Sequence, residues 1–386
     1  MEKTKLPKHK TKRSGVKTFL RWLKIILIIL VVFIIAVGIF VKLDAPAAAN
    51  IADNYLRPII GDQRVIFLED KLFNLSDSAD KLIYDFKKPE GPQFLGENKV
   101  LNNSSTLDLT PLIPNQTLSP ISDEGVWNNL SSAVSPDTEV MATTFIRPDS
   151  ARSYAVVSIV QIDMKLLGIG SVAGTKEPGG SLGNPGTGLI PQDILDSDKL
   201  VAAFNGGFLY TDGQYGMIAD NKTYAPLKIG VGTIAAYTDG SIKIFNYDGN
   251  NLGDNVFFAR QNSPLIVDNG QVTIMSAASQ KMYGRVLHGG TFTWRSGIGI
   301  TKSGNLLYVA GNNLSPITLA DALQTAGAVN AIQLDINPSQ VHFYTFTKNS
   351  AGTYDSVALN KELQSLNKPA RYFTGSQRDF FYLYQK

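Results

Sequence analysis

Asp335-Ile-Asn337-Pro-Ser339 is the densest cluster of chemistry-bearing side chains in the chain. It places a carboxylate, an amide and a hydroxyl within five residues, directly after the apolar run Ala331–Leu334. A carboxylate so placed can activate water or stabilise a developing cation. Asp335, Asn337 and nearby carbonyls are also hard oxygen ligands of the kind Ca²⁺ takes, although spacing alone does not identify a metal. Arg295, in Trp294-Arg-Ser-Gly-Ile-Gly299, carries a planar fork that matches two phosphate oxygens. Asn205-Gly206-Gly207 follows the run Lys199–Phe204, and its glycines allow a sharp turn and close approach of a ligand to the backbone. Arg260-Gln-Asn262 offers a further anion contact from Arg260 and an amide from Asn262, or simply closes a strand. His288, in Leu287-His-Gly-Gly290, is a candidate acid/base near neutral pH. On residue type alone Asn205 fits a tight turn, Arg295 a surface ion pair and His288 a structural role equally well. His342 falls in a strand run and is read as structural.

Short apolar or alternating runs must carry these side chains. They recur at Val140–Ile146, Tyr154–Ile162, Lys199–Phe204, Thr233–Tyr237, Ile242–Phe245, Leu265–Val267, Thr291–Trp294, Leu306–Val309, Ala331–Leu334 and Val341–Phe346. Asp239-Gly, Asp248-Gly, Asn269-Gly and Ser303-Gly supply turns between many of them. One helix is well marked near 318–326. Thr318 is its expected cap, with Asp321 three residues on, and Leu319, Ala322, Leu323 and Ala326 fall on one face. Gly327 suits the left-handed position that follows the last turn. The stretch from Gly168 to Pro191, with eight glycines and three prolines, reads as a mobile loop. Glu177 in it is a candidate ligand, and Asp163 before it a candidate second carboxylate. Gly168-Ile-Gly170 is followed by no helix pattern, so a dinucleotide turn is not supported, and no nucleoside-triphosphate loop occurs.

Taken together, Val201-Ala-Ala-Phe-Asn-Gly-Gly-Phe208, Thr293-Trp-Arg-Ser-Gly-Ile-Gly299 and Gly327–Ser339 resemble the phosphodiester glycosidase family over roughly residues 125–386. Members of that family remove a sugar from a sugar–phosphate diester. The resemblance implies catalytic roles for Asp335, Arg295, Asn205 and His288. It implies substrate contacts from Gly206, Gly207, Arg260, Asn262, Asn337, Ser339 and Glu177. One departure stands out: where the family commonly has Leu-Asp-Gly-Gly-Gly-Ser, this chain keeps Leu334, Asp335 and Ser339 but has Ile336, Asn337 and Pro338. A glycine-rich loop wraps an anion with backbone N–H groups, whereas Pro338 has none. Phosphate leaves readily without a proton, so one carboxylate and a cation suffice in principle.

The expected fold is α+β: a strand-rich mixed-sheet domain with a few packed helices, preceded by one transmembrane helix. Ile25 to Val41 is uncharged and bounded by Lys24 and Lys42. It is long enough to approach the span of a bilayer core. Residues 1–24 hold nine Lys/Arg against Glu2, which the positive-inside rule keeps in the cytoplasm. The chain's net charge of +3 therefore hides a sum of −5 over residues 25–386, with no basic footprint for nucleic acid. The rival to an anchor is a cleaved signal peptide ending near Ala45-Pro-Ala-Ala-Ala49. The expected organisation is a basic tail at 1–24, a membrane helix at 25–42, a helical segment and proline-rich linker at 43–124, and the glycosidase-like domain at 125–386. The absence of cysteine excludes disulfides, thiol nucleophiles and thiolate metal sites. These features predict a single-pass cell-membrane protein with its domain outside, and the resemblance implies that it acts on a sugar-phosphate glycan or envelope polymer. The alternative is a non-enzymatic glycan-binding or polysaccharide-assembly protein on the same fold.

Overall fold

The computed structural model describes residues 13–43, 51, 55–87, 90–95, 106–130, 140–274, 283, 292–364 and 369–386. Two compact units divide the chain, one ending at Ser78 and one beginning at Ala79. In the first, a helix runs from Arg13 to Leu43. Its stretch Phe19–Phe40 is long and apolar enough to cross a membrane, and its side chains lie exposed along the whole length. A short turn of helix, Arg57–Ile60, precedes the long helix Asp62–Phe86, which continues into the second unit.

The second unit contains eighteen strands among the described residues. In chain order they are β1 (Asn128–Asn129), β2 (Met141–Ile146), β3 (Val157–Ile162), β4 (Leu167–Val172), β5 (Leu200–Asn205), β6 (Met217–Ala219), β7 (Lys222–Ala225), β8 (Gly232–Tyr237) and β9 (Ile242–Asn246). β10 (Val256–Gln261), β11 (Val267–Asp268), β12 (Gln271–Val272), β13 (Thr293–Thr301), β14 (Leu306–Leu314), β15 (Ala328–Gln333), β16 (Phe343–Lys348), β17 (Tyr354–Ala358) and β18 (Phe380–Gln385) follow. They form an eight-stranded sheet, β1-β2-β3-β14-β13-β15-β11-β12, and two five-stranded sheets, β7-β6-β10-β8-β9 and β17-β16-β5-β18-β4. The architecture is strand-rich with a few helices, as composition and patterning predict. The pairings are antiparallel throughout rather than mixed.

Both faces of the large sheet are buried. Along β14, Leu306, Tyr308 and Ala310 enter the core shared with the two smaller sheets, which also holds Phe204, Ile234, Phe258 and Phe381. Leu307 and Val309 point the other way, into a second core with Leu319, Ala322 and Leu323 of the helix Pro316–Thr325. Alternation with period two assigns successive residues to opposite cores. This helix begins three residues earlier than the pattern suggests. Ser315 is the cap, accepting from the Thr318 N–H while the Thr318 hydroxyl accepts from the Ser315 N–H, and Pro316 takes the first helical position. Asp321 has no part in it. Gly327, at φ +90°, ends the helix as expected.

The Gly168–Pro191 stretch is not a mobile loop. Its first residues form β4, hydrogen-bonded along β18. Gly168 and Gly170 lie against the rings of Tyr384 and Tyr382, and a Cβ at either would approach a ring carbon to 2.3 and 2.2 Å. Those glycines make room for aromatic rings, a cross-strand arrangement that local composition does not reveal. The remainder is fastened by backbone bonds, among them Thr175 N–H to the Ser376 carbonyl and Glu177 N–H to the Gln377 carbonyl. Residues 106–127 of the proline-rich stretch are tied to the strand-rich unit, the strap that is the alternative to a linker there. The Asp108 N–H donates to Gln161 Oε1, and Trp127 Nε1 donates to the Thr110 carbonyl.

Candidate active site

Five chain segments converge where β5, β10 and β15 end and where β13 and β18 begin. Asp335 follows β15 and is buried. The Ile336 and Asn337 N–H groups donate to its Oδ1 at 2.7 and 2.9 Å. Arg378 Nη2 donates to its Oδ2 at 2.5 Å and to the Gly207 carbonyl at 2.8 Å. Burial raises the Asp335 pKa, and the Arg378 guanidinium and the two N–H groups pull against that rise without cancelling it. A carboxylate accepts about four hydrogen bonds. Three of those positions are filled, and the remaining capacity is on Oδ2.

Arg378 is the more accessible partner of the pair, with 17% of its side chain exposed against 6% for Asp335. It lines an open cleft of about 510 Å³ together with Lys176, Glu177, Gln340, Arg371 and Gln377. Its Nε is buried with no hydrogen-bond partner. Glu177, on the opposite segment, accepts from the Tyr210 N–H through Oε2 at 2.8 Å. Gln340 Oε1 accepts from Arg371 at 3.0 Å. The cleft therefore presents three cations and one carboxylate to solvent. Arg378 was not reached from the sequence. Its only local signal is an Arg-Asp pair ahead of the apolar run Phe380–Tyr384.

Beneath the pair lies a buried polar network. Asn205 Nδ2 donates to Ser296 Oγ at 2.9 Å, and its Oδ1 accepts from the Tyr308 hydroxyl at 2.9 Å. Ser296 in turn donates to the Asp335 carbonyl through both its N–H and its hydroxyl. Asn205 thus sets the backbone that carries Asp335. His342 contributes its N–H and carbonyl to the same network, and its ring meets the Tyr372 hydroxyl at 2.6 Å. Burial lowers the His342 pKa well below the ordinary histidine value, so the ring is neutral.

Arg260 is fully buried. Its Nε donates to Asp379 Oδ2 at 2.8 Å and its Nη2 to the Phe208 carbonyl at 2.9 Å. It supports the wall of the site rather than facing the cleft. Gly206 and Gly207 are there because of it. A Cβ on Gly206 would sit 2.0 Å from Asp379 Oδ2, and one on Gly207 would sit 3.0 Å from Arg260 Nη2. Asn262 Nδ2 donates to the Leu334 carbonyl at 2.9 Å, while its Oδ1 is buried without a partner.

Arg295 does not join Asp335. Ser296 points into the site, so its neighbour on β13 points to the opposite face of the sheet. There Arg295 donates to the Leu314 carbonyl at 2.8 Å, to Gln333 Oε1 at 2.7 Å and to the Tyr283 carbonyl at 3.2 Å. Burial depresses its pKa to about 9. Asp163 accepts from the Thr106 and Lys165 N–H groups at the far end of β3. Ile162 there is level with Leu306, whereas the site lies level with Ala310 and Ser158. His288 lies outside the described residues.

The loop after Asp335 explains how the chain manages without the family's glycines. The Ile336 and Asn337 N–H groups are held by Asp335, and the Ser339 N–H by Asn337 Oδ1 at 2.9 Å. Pro338 has none. No backbone donor from 336 to 339 is left for an anion, so anion recognition here falls to side chains. Ile336 packs on Phe208, Tyr215 and Val231. Both Asp335 oxygens are engaged, Asn337 Oδ1 is bound twice by Ser339, and no group of three His, Asp or Glu side chains converges among the described residues.

An antiparallel β-protein with a carboxylate–guanidinium pair at the edge of a polar cleft is the class that fold and site define. Residues 198–361 match the model of a protein family described as phosphodiester glycosidase. Asn205, Arg295 and Asp335 lie within the matched residues, and Arg378 and Asp379 lie beyond them. No curated protein matches the chain. Among solved structures, the catalytic domain of zebrafish N-acetylglucosamine-1-phosphodiester alpha-N-acetylglucosaminidase, auto-inhibited by its pro-peptide, is 15% identical. That likeness covers 65% of this chain and 85% of that one, with a TM-score of 0.42. A hypothetical protein from Synechocystis is 14% identical over 64% of this chain and 63% of that one, with a TM-score of 0.33.

Proposed function

We propose that the protein hydrolyses a sugar-1-phosphodiester, releasing the sugar from its phosphate. The Asp335–Arg378 pair at the cleft, with Arg378 Nε unpartnered, is the observation that carries this reading. Arg378, which lines the cleft, holds the phosphate, a task suited to the planar guanidinium. Water attacks the anomeric carbon and passes its proton to Asp335 Oδ2. The bond from that carbon to the phosphate oxygen breaks, and its electron pair stays on the phosphate, where Arg378 offsets the charge. Asn205 and Ser296 fix the backbone of Asp335. In this reading Glu177, which lines the cleft, and Asn337 and Ser339, which follow Asp335, contact sugar hydroxyls. Arg260, Gly206, Gly207 and Asn262 shape that wall, and Arg295 keeps the sheet behind it in place.

The helix Arg13–Leu43 serves in this proposal as a single-pass anchor with the basic N-terminus in the cytoplasm and the domain outside. The natural substrate is then a glycan or envelope polymer with sugar-phosphate linkages. The deciding assay offers the purified protein a panel of sugar-1-phosphodiesters and measures free sugar. Release that is lost in Arg378→Ala and Asp335→Asn, and retained without added Ca²⁺, is the expected result. Saturable binding with no release from any substrate would replace hydrolysis by glycan binding.

A further inference from the structure

We propose that the helix Asp62–Phe86 pairs in register with the same helix of a second copy, as a parallel two-stranded coiled coil. The apolar residues of this region look unevenly spaced until the helix bounds are known. Within those bounds Val65, Leu68, Leu72, Leu75, Ala79, Leu82 and Phe86 follow one another at alternating steps of three and four, with no charge or amide among them. That is the a/d repeat of a coiled-coil seam, sustained over three heptads, with leucine at every d position. The seam is uncovered over most of its length. Leu68, Leu75, Leu82 and Phe86 are 47%, 57%, 60% and 88% exposed, and Val65 is buried at the N-terminal end.

The other side of the helix already has an occupant. Tyr84, at an f position, accepts a hydrogen bond from Arg147 Nη1 at 3.0 Å. Arg147 is locked in a buried ion pair with Glu124 at 2.6 Å. The seam is turned away from that contact by more than a quarter turn of the helix. A second copy fits the seam in charge as well as in shape. In a parallel pair, the g position of one helix meets the next e position of its partner. Here that places Arg64 of one copy opposite residue 69, a glutamate, in the other. The remaining g/e pairs, at 71/76 and 78/83, bring no like charges together. The parallel sense also suits two copies anchored in one membrane through their N-terminal helices; that clause rests on the anchor reading, and the seam itself does not.

The chain has no cysteine, so single cysteines report contacts without background. Leu68→Cys, Leu75→Cys, Leu82→Cys and Asn74→Cys variants of the full chain would be made in native membranes and oxidised. The expected result is dimer cross-links at 68, 75 and 82 and none at 74. Links at 75 alone would mean antiparallel pairing and overturn the parallel register. Equal links at all four positions would mean association through the membrane helices, and no links would leave the seam without a second copy. As an independent check, Leu68→Asp combined with Leu75→Asp should convert a dimer to a monomer by light scattering in detergent. The thermal transition of the strand-rich unit should stay in place. A wild-type monomer in that measurement would also overturn the pairing.

Discussion

Asp335 and Arg378 are 43 positions apart in the chain, yet they form the ion pair on which the proposed chemistry turns. Two arginines with opposite fates make the proposal testable. Arg378→Ala should lower kcat/KM by about 10²- to 10³-fold, the usual loss for one preorganised donor, far more than any accompanying fall in stability accounts for. Arg295→Ala should instead cost about 3 kcal/mol of stability, because it strands buried acceptors on Leu314, Gln333 and Tyr283. Thermal denaturation beside steady-state assays separates the two; equal losses of activity without unfolding would return the phosphate to Arg295. The pH profile follows from the burial of Asp335. A base must be ionised, and its pKa stands above the ordinary 3.8, so kcat/KM should fall on acidification at a pH above that value. Arg378 lowers this pKa. Arg378→Gln should therefore move the acid limb of the residual activity further up, and a limb that moves down would exclude Asp335 as the titrating group.

At the scale of elements, the two short segments Asn205–Phe208 and Arg378–Asp379 hold each other in place. Arg260 and Asp379 are exposed by 1% and 0% in their side chains, and each is the other's ionic partner. Asp379→Ala should cost about 3–5 kcal/mol, because it leaves a buried guanidinium uncompensated. Gly206→Ala should cost about 1–3 kcal/mol, since its Cβ has no room beside Asp379. Urea titration of both variants measures this, and wild-type midpoints would show that the pair is not part of the frame. The same logic explains the Gly168–Pro191 stretch. Glycine there accommodates Tyr382 and Tyr384, so flexibility was the wrong inference from correct residue types.

For the whole molecule, the apolar helix and the strand-rich unit make separate demands. Phe19–Phe40 exposes apolar side chains along its full length, which water does not tolerate as a free surface. The full chain is expected in the membrane fraction, resistant to carbonate extraction and undiminished in mass. A soluble product that begins near residue 49 would identify a signal peptide instead. Within the strand-rich unit, Arg147 ties Tyr84, Glu124 and the Ser119 carbonyl together.

Local pattern by itself determined the apolar membrane-length run, most strands from β2 onward, and the helix closed by Gly327. It also singled out Asp335, because a carboxylate at the end of an apolar run stands out in one dimension. Which way Arg295 points was not decidable there. Strand β13 is buried on both faces, so hydrophobic alternation carries no parity to say which side chain faces which core. Strands β4, β6, β7, β12, β17 and β18 carry no such signal, and β10 shows only as an apolar run closed by Arg260-Gln-Asn262. Arg378 depends on how β18 pairs with β5 and β4, and on the neighbouring end of β15 that delivers Asp335. Contacts between residues this distant in sequence arise only when sheets close on one another. Charge pairing and burial, which decide what Asp335, Arg260 and Arg378 can do, are properties of that closure rather than of any local stretch.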